Sequence, residues 1–161
     1  MTHNWFTCKI AYDKTMENGM IKKVTEPYLV DAMSFTEAEA RIIEEMTPYI
    51  DGAFDVKAVT KANYSELFFA QDDLTASYWY KFKLAFVVLD EKTGSEKKTY
   101  TNLLVQAKDL RDAVKRLDNG MKGTMADYLI VSVAETPIVD VYPYEAPSDG
   151  KPEFATKKEE I

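Results

Sequence analysis

WFTCKIAY, residues 5–12, is echoed by WYKFKLAF, residues 79–86. Trp5/Trp79, Lys9/Lys83 and Ala11/Ala85 are identities 74 positions apart, and Phe6/Tyr80, Cys8/Phe82, Ile10/Leu84 and Tyr12/Phe86 keep apolar character. The echo continues downstream. LVDAMSFTEA, residues 29–38, aligns with LVQAKDLRDA, residues 104–113, at a spacing of 75, so the turn before it has changed length by one residue. AVTKANYSEL, residues 58–67, aligns with SVAETPIVDV, residues 132–141, mainly in hydrophobic pattern. Self-similarity at a fixed offset over most of the chain reads as an internal duplication.

Each copy spells the same order of elements. Phe6, Cys8, Ile10 and Tyr12 alternate with Trp5, Thr7, Lys9 and Ala11, the period of a strand with one face in a core. Asn18-Gly19 and Thr93-Gly94 each place a glycine between two strand-like runs, where a hairpin needs positive φ. The second strands are expected over about residues 23–32 and 98–107, with Pro27 removing one ladder donor and pointing to an edge or a bulge. Ser34 with Glu37 and Asp109 with Asp112 are the cap and carboxylate of two helix starts. Beyond them Phe35, Ala38, Ile42 and Met46, and Leu110, Ala113, Val114, Leu117 and Met121, recur at helical spacing and form one apolar stripe per helix. Pro48 and Asp51-Gly52 should stop the first helix, and Asn119-Gly120 and Gly123 should loosen or end the second.

The third segments, about residues 54–69 and 128–144, exceed an ordinary strand. A bend near Ala62-Asn63 and at Pro137 would let YSELFF or IVDVYPY leave its own repeat and pair with the other. The expected fold class is therefore α+β: two tandem ββαβ-type repeats with pseudo-twofold symmetry, mostly antiparallel sheets each covered by one helix. The repeats are placed at residues 1–69 and 79–144, with a connection at 70–78 and a disordered tail at 145–161 that carries Pro, Gly, Ser and mixed charge.

Composition excludes several classes. A formal net charge of −7 opposes general attraction to phosphate backbones or anionic lipid. Cys8 is the single cysteine, so no internal disulfide forms, and a reducing, cytoplasmic setting is expected. The N-terminus lacks the basic start and apolar run of a signal peptide, and no run of about 18 apolar residues spans a membrane.

The blocks WFTCKIAYDK, KKVTEPYLVDAMSFTEAEARIIEEMTPYI, ANYSELFF, LVQAKDLRDAVKRLDNGMKGTMADYLI and SVAETPIVDVYPY together resemble a family of unknown function found in gut Bacteroidetes and their phages and mobile elements. The resemblance covers roughly residues 5–144 and implies a genomic setting but no activity, so no residue roles transfer from it.

No catalytic or metal-binding residues and no cofactor are expected. His3 is the only histidine and sits in an N-terminus expected to be mobile, and a serine or cysteine nucleophile would need such a base positioned beside it. Asp72-Asp73, Glu44-Glu45 and Glu159-Glu160 lack a calcium loop and read as solvated surface. An enzyme would need convergence of groups such as Asp31, Glu37 or Asp112. The candidate binding residues are Trp5, Lys9, Trp79, Lys81 and Lys83, on the strand faces opposite the helices. Aromatic and lysine side chains sharing a sheet face can stack unpaired bases and neutralise phosphates. The competing reading is that the repeats bury the two tryptophans while lysine stems cover the rim. The expected role is a non-enzymatic binding protein of phage or mobile-element type acting through a protein partner or self-association, with a single-stranded nucleic-acid-binding accessory protein as the alternative.

Overall fold

The computed structural model describes residues 3–124 and 127–144, so the expected tail at 145–161 lies outside the described residues. The elements run β1 (Trp5–Thr15), β2 (Ile21–Asp31), α1 (Phe35–Met46), β3 (Phe54–Ala62), β4 (Glu66–Phe68), β5 (Tyr78–Leu89), β6 (Glu96–Ala107), α2 (Leu110–Gly120), β7 (Tyr128–Glu135) and β8 (Asp140–Tyr142). They form an α+β protein with two four-stranded sheets, ordered β3-β1-β2-β8 and β4-β6-β5-β7. Two compact units result. Among the described residues, the first comprises 3–63 and 137–144, and the second 64–124 and 127–136.

The hairpins β1–β2 and β5–β6 turn at Gly19 and Gly94, whose φ values of 84° and 73° are open to glycine at little cost. Their registers repeat: Trp5 opposes Asp31 and Cys8 opposes Tyr28, while Trp79 opposes Gln106 and Phe82 opposes Leu103. Even the irregularities repeat. Pairing of β1 with β3 jumps from Lys9–Ala58 to Ile10–Val56, and pairing of β5 with β7 jumps from Lys83–Ser132 to Leu84–Ile130. Lys57 and Val131 are thus the extra residues of two equivalent bulges.

Both helices start as the cap pattern implies. Ser34 Oγ accepts from Glu37 N at 3.1 Å, and Glu37 Oε1 reaches back to Met33 N. Asp109 Oδ1 accepts from Asp112 N at 2.8 Å, and Asp112 Oδ2 reaches back to Lys108 N at 3.1 Å. α1 ends at Met46, just before Pro48, and α2 ends at Gly120. A Cβ at Gly120 would stand 3.1 Å from Phe68 Cζ, so the glycine also makes room for the β4 ring.

Each helix lies over one sheet. In the first unit Phe6, Cys8, Ile10, Tyr28, Val30 and Ala32 pack with Ala38, Ile42 and Met46. In the second, Tyr80, Phe82, Leu84, Leu103, Val105 and Ala107 pack with Ala113 and Leu117. Burying each large side chain of this kind stabilises by about 1.5–3 kcal/mol relative to leaving it exposed. The stripe is narrower than its sequence period suggests, because Phe35 and Leu110 occupy the first helical turn and stay exposed. Phe35 still meets Phe6 edge-on at 5.0 Å.

The third segments split where bends were expected, and their distal parts change sheets. β8 pairs in parallel with β2, Val141 opposite Leu29, and β4 pairs in parallel with β6, Leu67 opposite Leu104. Each sheet is therefore completed by the last strand of the other repeat. The entry contacts are equivalent: Val139 N donates to Pro27 O and Ser65 N to Asn102 O, both at 2.9 Å. Pro27 meets the expected edge position, because no strand pairs with the outer side of β2 before Tyr28. Its carbonyl faces β8, so its nitrogen does too, and that missing donor falls outside the β2–β8 ladder, which begins at Tyr28.

Cys8 is fully buried, its Sγ 4.0 Å from Ala38 O, and burial reinforced by the charge of Glu39 pushes its thiol up to about 11. Iodoacetamide at neutral pH should leave Cys8 unlabelled in the native protein and label it on unfolding, read by mass spectrometry. Labelling of the native protein would contradict the packing of the first core.

Candidate interaction surface

Trp5 and Trp79 occupy equivalent places and are 4% and 1% exposed. His3 stacks on Trp5 at 5.3 Å between ring centroids, and Phe69 meets Trp79 edge-on at 5.2 Å. The indole faces are thus not available for stacking by an incoming base. Lys9, Lys81 and Lys83 are exposed. Lys9 shares its strand face with Trp5 in the first unit, and Lys81 and Lys83 share theirs with Trp79 in the second. Lys83 Nζ lies 4.8 Å from the centroid of the exposed Tyr100 ring. The aromatic group exposed beside these lysines is therefore Tyr100, which the sequence pattern did not single out.

His3 is held rather than loose. Its Nδ1 lies 2.5 Å from Oδ2 of Asp31, whose other oxygen accepts from Asn4 N at 3.2 Å. Asp31 is the one buried charged residue among those described. The equivalent Gln106 accepts from Ala70 N at 3.0 Å. Glu37 and Asp112 serve as helix-cap carboxylates, so these three acids have structural partners.

Arg41 and Arg116 stand at matching positions and hold the segment that follows the exchanged strand. Arg41 donates to the Asp31 carbonyl, to Tyr142 O at 3.5 Å and to Pro143 O at 3.3 Å, and lies over the Tyr144 ring at 4.6 Å. Tyr144 in turn donates to Glu37. Arg116 donates to Asp112 at 2.9 Å and to Asp72 at 2.8 Å, with Asp73 at 3.8 Å. Asp72 and Asp73 are thus ion-pair partners as well as surface groups. A further difference lies at one end of the first core, where Tyr12 and Tyr28 donate to the same oxygen of Glu26 at 2.9 and 3.0 Å. The matching residues of the second repeat are Phe86, Leu103 and Thr101.

Another contrast between the repeats is at an edge strand. β3 and β7 are equivalent edges with the same bulge, yet β3 carries Asp55 and Lys57, 3.9 Å apart, where β7 carries Leu129 and Val131. Leu129 and Val131 are 53% and 50% exposed, and Ile130 lies between them. Past the end of its pairing with β7, β5 exposes Val88 and Leu89, where β1 has Lys14 and Thr15. Charged edges discourage strand addition, and an apolar exposed edge invites it. Acidic groups flank this edge: Asp127 precedes β7, Glu135 ends it, and Asp118 accepts from Tyr128 OH at 2.8 Å. By contrast, the open groove between α1 and β3, lined by Glu39, Ile43, Thr47, Phe54, Asp55 and Val56, offers two carboxylates and no basic side chain.

Two expected outcomes test these placements. A neutral quencher such as acrylamide should reduce native tryptophan fluorescence only weakly, with strong quenching on unfolding; strong native quenching would contradict the burial of the indoles. The second concerns Arg116. Hydrogen bonding to it holds Asp72 below the usual carboxylate range, and in Asp112 the upward push of burial is overcome only by that contact together with the Lys108 backbone N–H and the nearby positive charges. Depressed carboxylates contribute stability above their unfolded pKa and lose it as pH falls through the folded one. Arg116→Ala should therefore flatten the acid side of the melting temperature–pH curve, and an unchanged acid limb would contradict the ion-pair network.

Among the described residues no helix is long and apolar enough to cross a membrane. Residues 4–144 match the family model described as Domain of unknown function (DUF4494), and the chain belongs to that family. A comparison with curated proteins finds no match.

Proposed function

We propose that this DUF4494 chain is a non-enzymatic binding protein that grips an extended segment of a partner protein along the β7 edge. The observation that carries the reading is the internal comparison: one fold, repeated, with a charged edge in the first unit and an apolar edge at the matching position of the second. An added strand would pair with the free backbone groups of β7 and cover Leu129 and Val131 with alternate apolar side chains. The acidic flanks favour a segment with lysine or arginine at its ends. The resemblance of the sequence blocks to proteins of gut Bacteroidetes, their phages and mobile elements supports an accessory role of that kind, and the single, buried, unpaired Cys8 supports a cytoplasmic site of action.

The first repeat supplies its own control variant. Leu129→Asp with Val131→Lys installs the residues that β3 carries at the same bulge, so the variant should fold. Peptides selected from a random displayed library on the native protein should show alternating apolar residues between basic ends. They should bind the double variant at least about tenfold more weakly, equivalent to about 1.4 kcal/mol. No enriched peptide, or equal binding to the variant, would overturn the proposal. Salt-dependent binding of a labelled oligonucleotide, abolished by replacing Lys81 and Lys83, would move the role to nucleic acid instead.

A further inference from the structure

The second crossing of the chain between its units is short. Thr136 is tied to the second unit, its N and Oγ1 each donating to Trp79 O at 2.9 Å. Val139 is tied to the first unit by its bond to Pro27 O. Only Pro137 and Ile138 connect these anchor points. Proline fixes φ near about −65° and biases the residue before it toward extended backbone. The crossing is thus stiff and directed onward. Short hinges invite exchange between copies.

Beyond the crossing, residues 139–144 form an arm with a compact set of contacts on the body of the first unit. Val141 is buried opposite Leu29, and Tyr142 stacks on Tyr28 at 6.2 Å. Arg41 holds the carbonyls of Tyr142 and Pro143 and lies over Tyr144. Every one of these contacts joins the arm to β2 or α1, so all of them survive unchanged when the arm comes from another molecule. β4, the equivalent strand, differs because the chain continues into β5 on its far side, and moving it would carry the rest of the second unit. The arm needs one covalent crossing re-routed.

We propose that a second copy of this chain supplies residues 139–144 to the edge of β2, so that two molecules exchange C-terminal arms and each completes the other's first sheet. The interface continues one already present in the fold, and exchange of an identical element is a low-cost route to a dimer. It is independent of the β7 edge.

The test uses the full chain carrying Pro27→Cys and Val139→Cys, whose backbones are hydrogen-bonded, oxidised after refolding over a range of protein concentrations and then denatured. The expected result is a covalent dimer whose share rises with concentration and falls when three residues are inserted after Pro137. Covalent monomer alone at every concentration would overturn the proposal. Should the cysteine pair prevent folding, wild-type chains of two isotopic masses are co-refolded and weighed by native mass spectrometry. Mixed dimers that persist with Leu129→Asp and Val131→Lys in both chains support arm exchange, whereas absence of dimers, or their loss with those substitutions, overturns it.

Discussion

Three residue pairs at the edge of each sheet govern the rest of the architecture: Tyr28–Val30 beside Asp140–Tyr142, and Leu103–Val105 beside Glu66–Phe68. Both ladders are parallel, and a parallel neighbour cannot be reached by a tight turn. A repeat that builds a hairpin, a helix and a third strand leaves the outer edge of its second strand uncovered. The chain covers each such edge with a strand from the other repeat. Neither sheet is complete from the residues of one repeat. The matched arginines fit the same scheme, since Arg41 and Arg116 each fasten the backbone or side chains just beyond the arriving strand.

Once the scaffold is set, the differences between the copies carry the functional argument. A duplicated fold fixes which positions are buried, paired or bulged, and a change at a matched exposed position is then free of scaffold demands. The charged pair Asp55 and Lys57 against Leu129 and Val131 is such a change. The polar cluster of Tyr12, Glu26 and Tyr28 against Phe86, Thr101 and Leu103 is another, but it lies partly inside the first core and is satisfied there by hydrogen bonds. Function lives in sites added to folds. The exposed apolar edge is the more telling of the two.

Much of this was legible in the sequence. The repeated WFTCKIAY pattern located both first strands, the Ser34/Glu37 and Asp109/Asp112 pairs located both helix starts, and the over-long third segments with Pro137 located the exchange. Local rules suffice for these because caps, turns and strand period act over a few residues. The second strand face was harder. Alternation placed Trp5 with Lys9 and Trp79 with Lys83, but burial depends on what covers a face, and the same face is closed at the tryptophans and open at the lysines. His3 reads as loose from the sequence because its partner, Asp31, is distant along the chain. The β7 edge is not legible locally, because nothing in the run Leu129-Ile130-Val131 shows which strand of the sheet lies outermost.

The most direct test of the exchange is a nuclear Overhauser measurement on methyl-labelled protein. Cross-peaks between Leu29 and Val141 and between Leu104 and Leu67 are the expected result, since each pair is opposed in a parallel ladder. Contacts of Leu67 with Leu29 and of Val141 with Leu104 would place each distal strand in its own repeat and contradict the account.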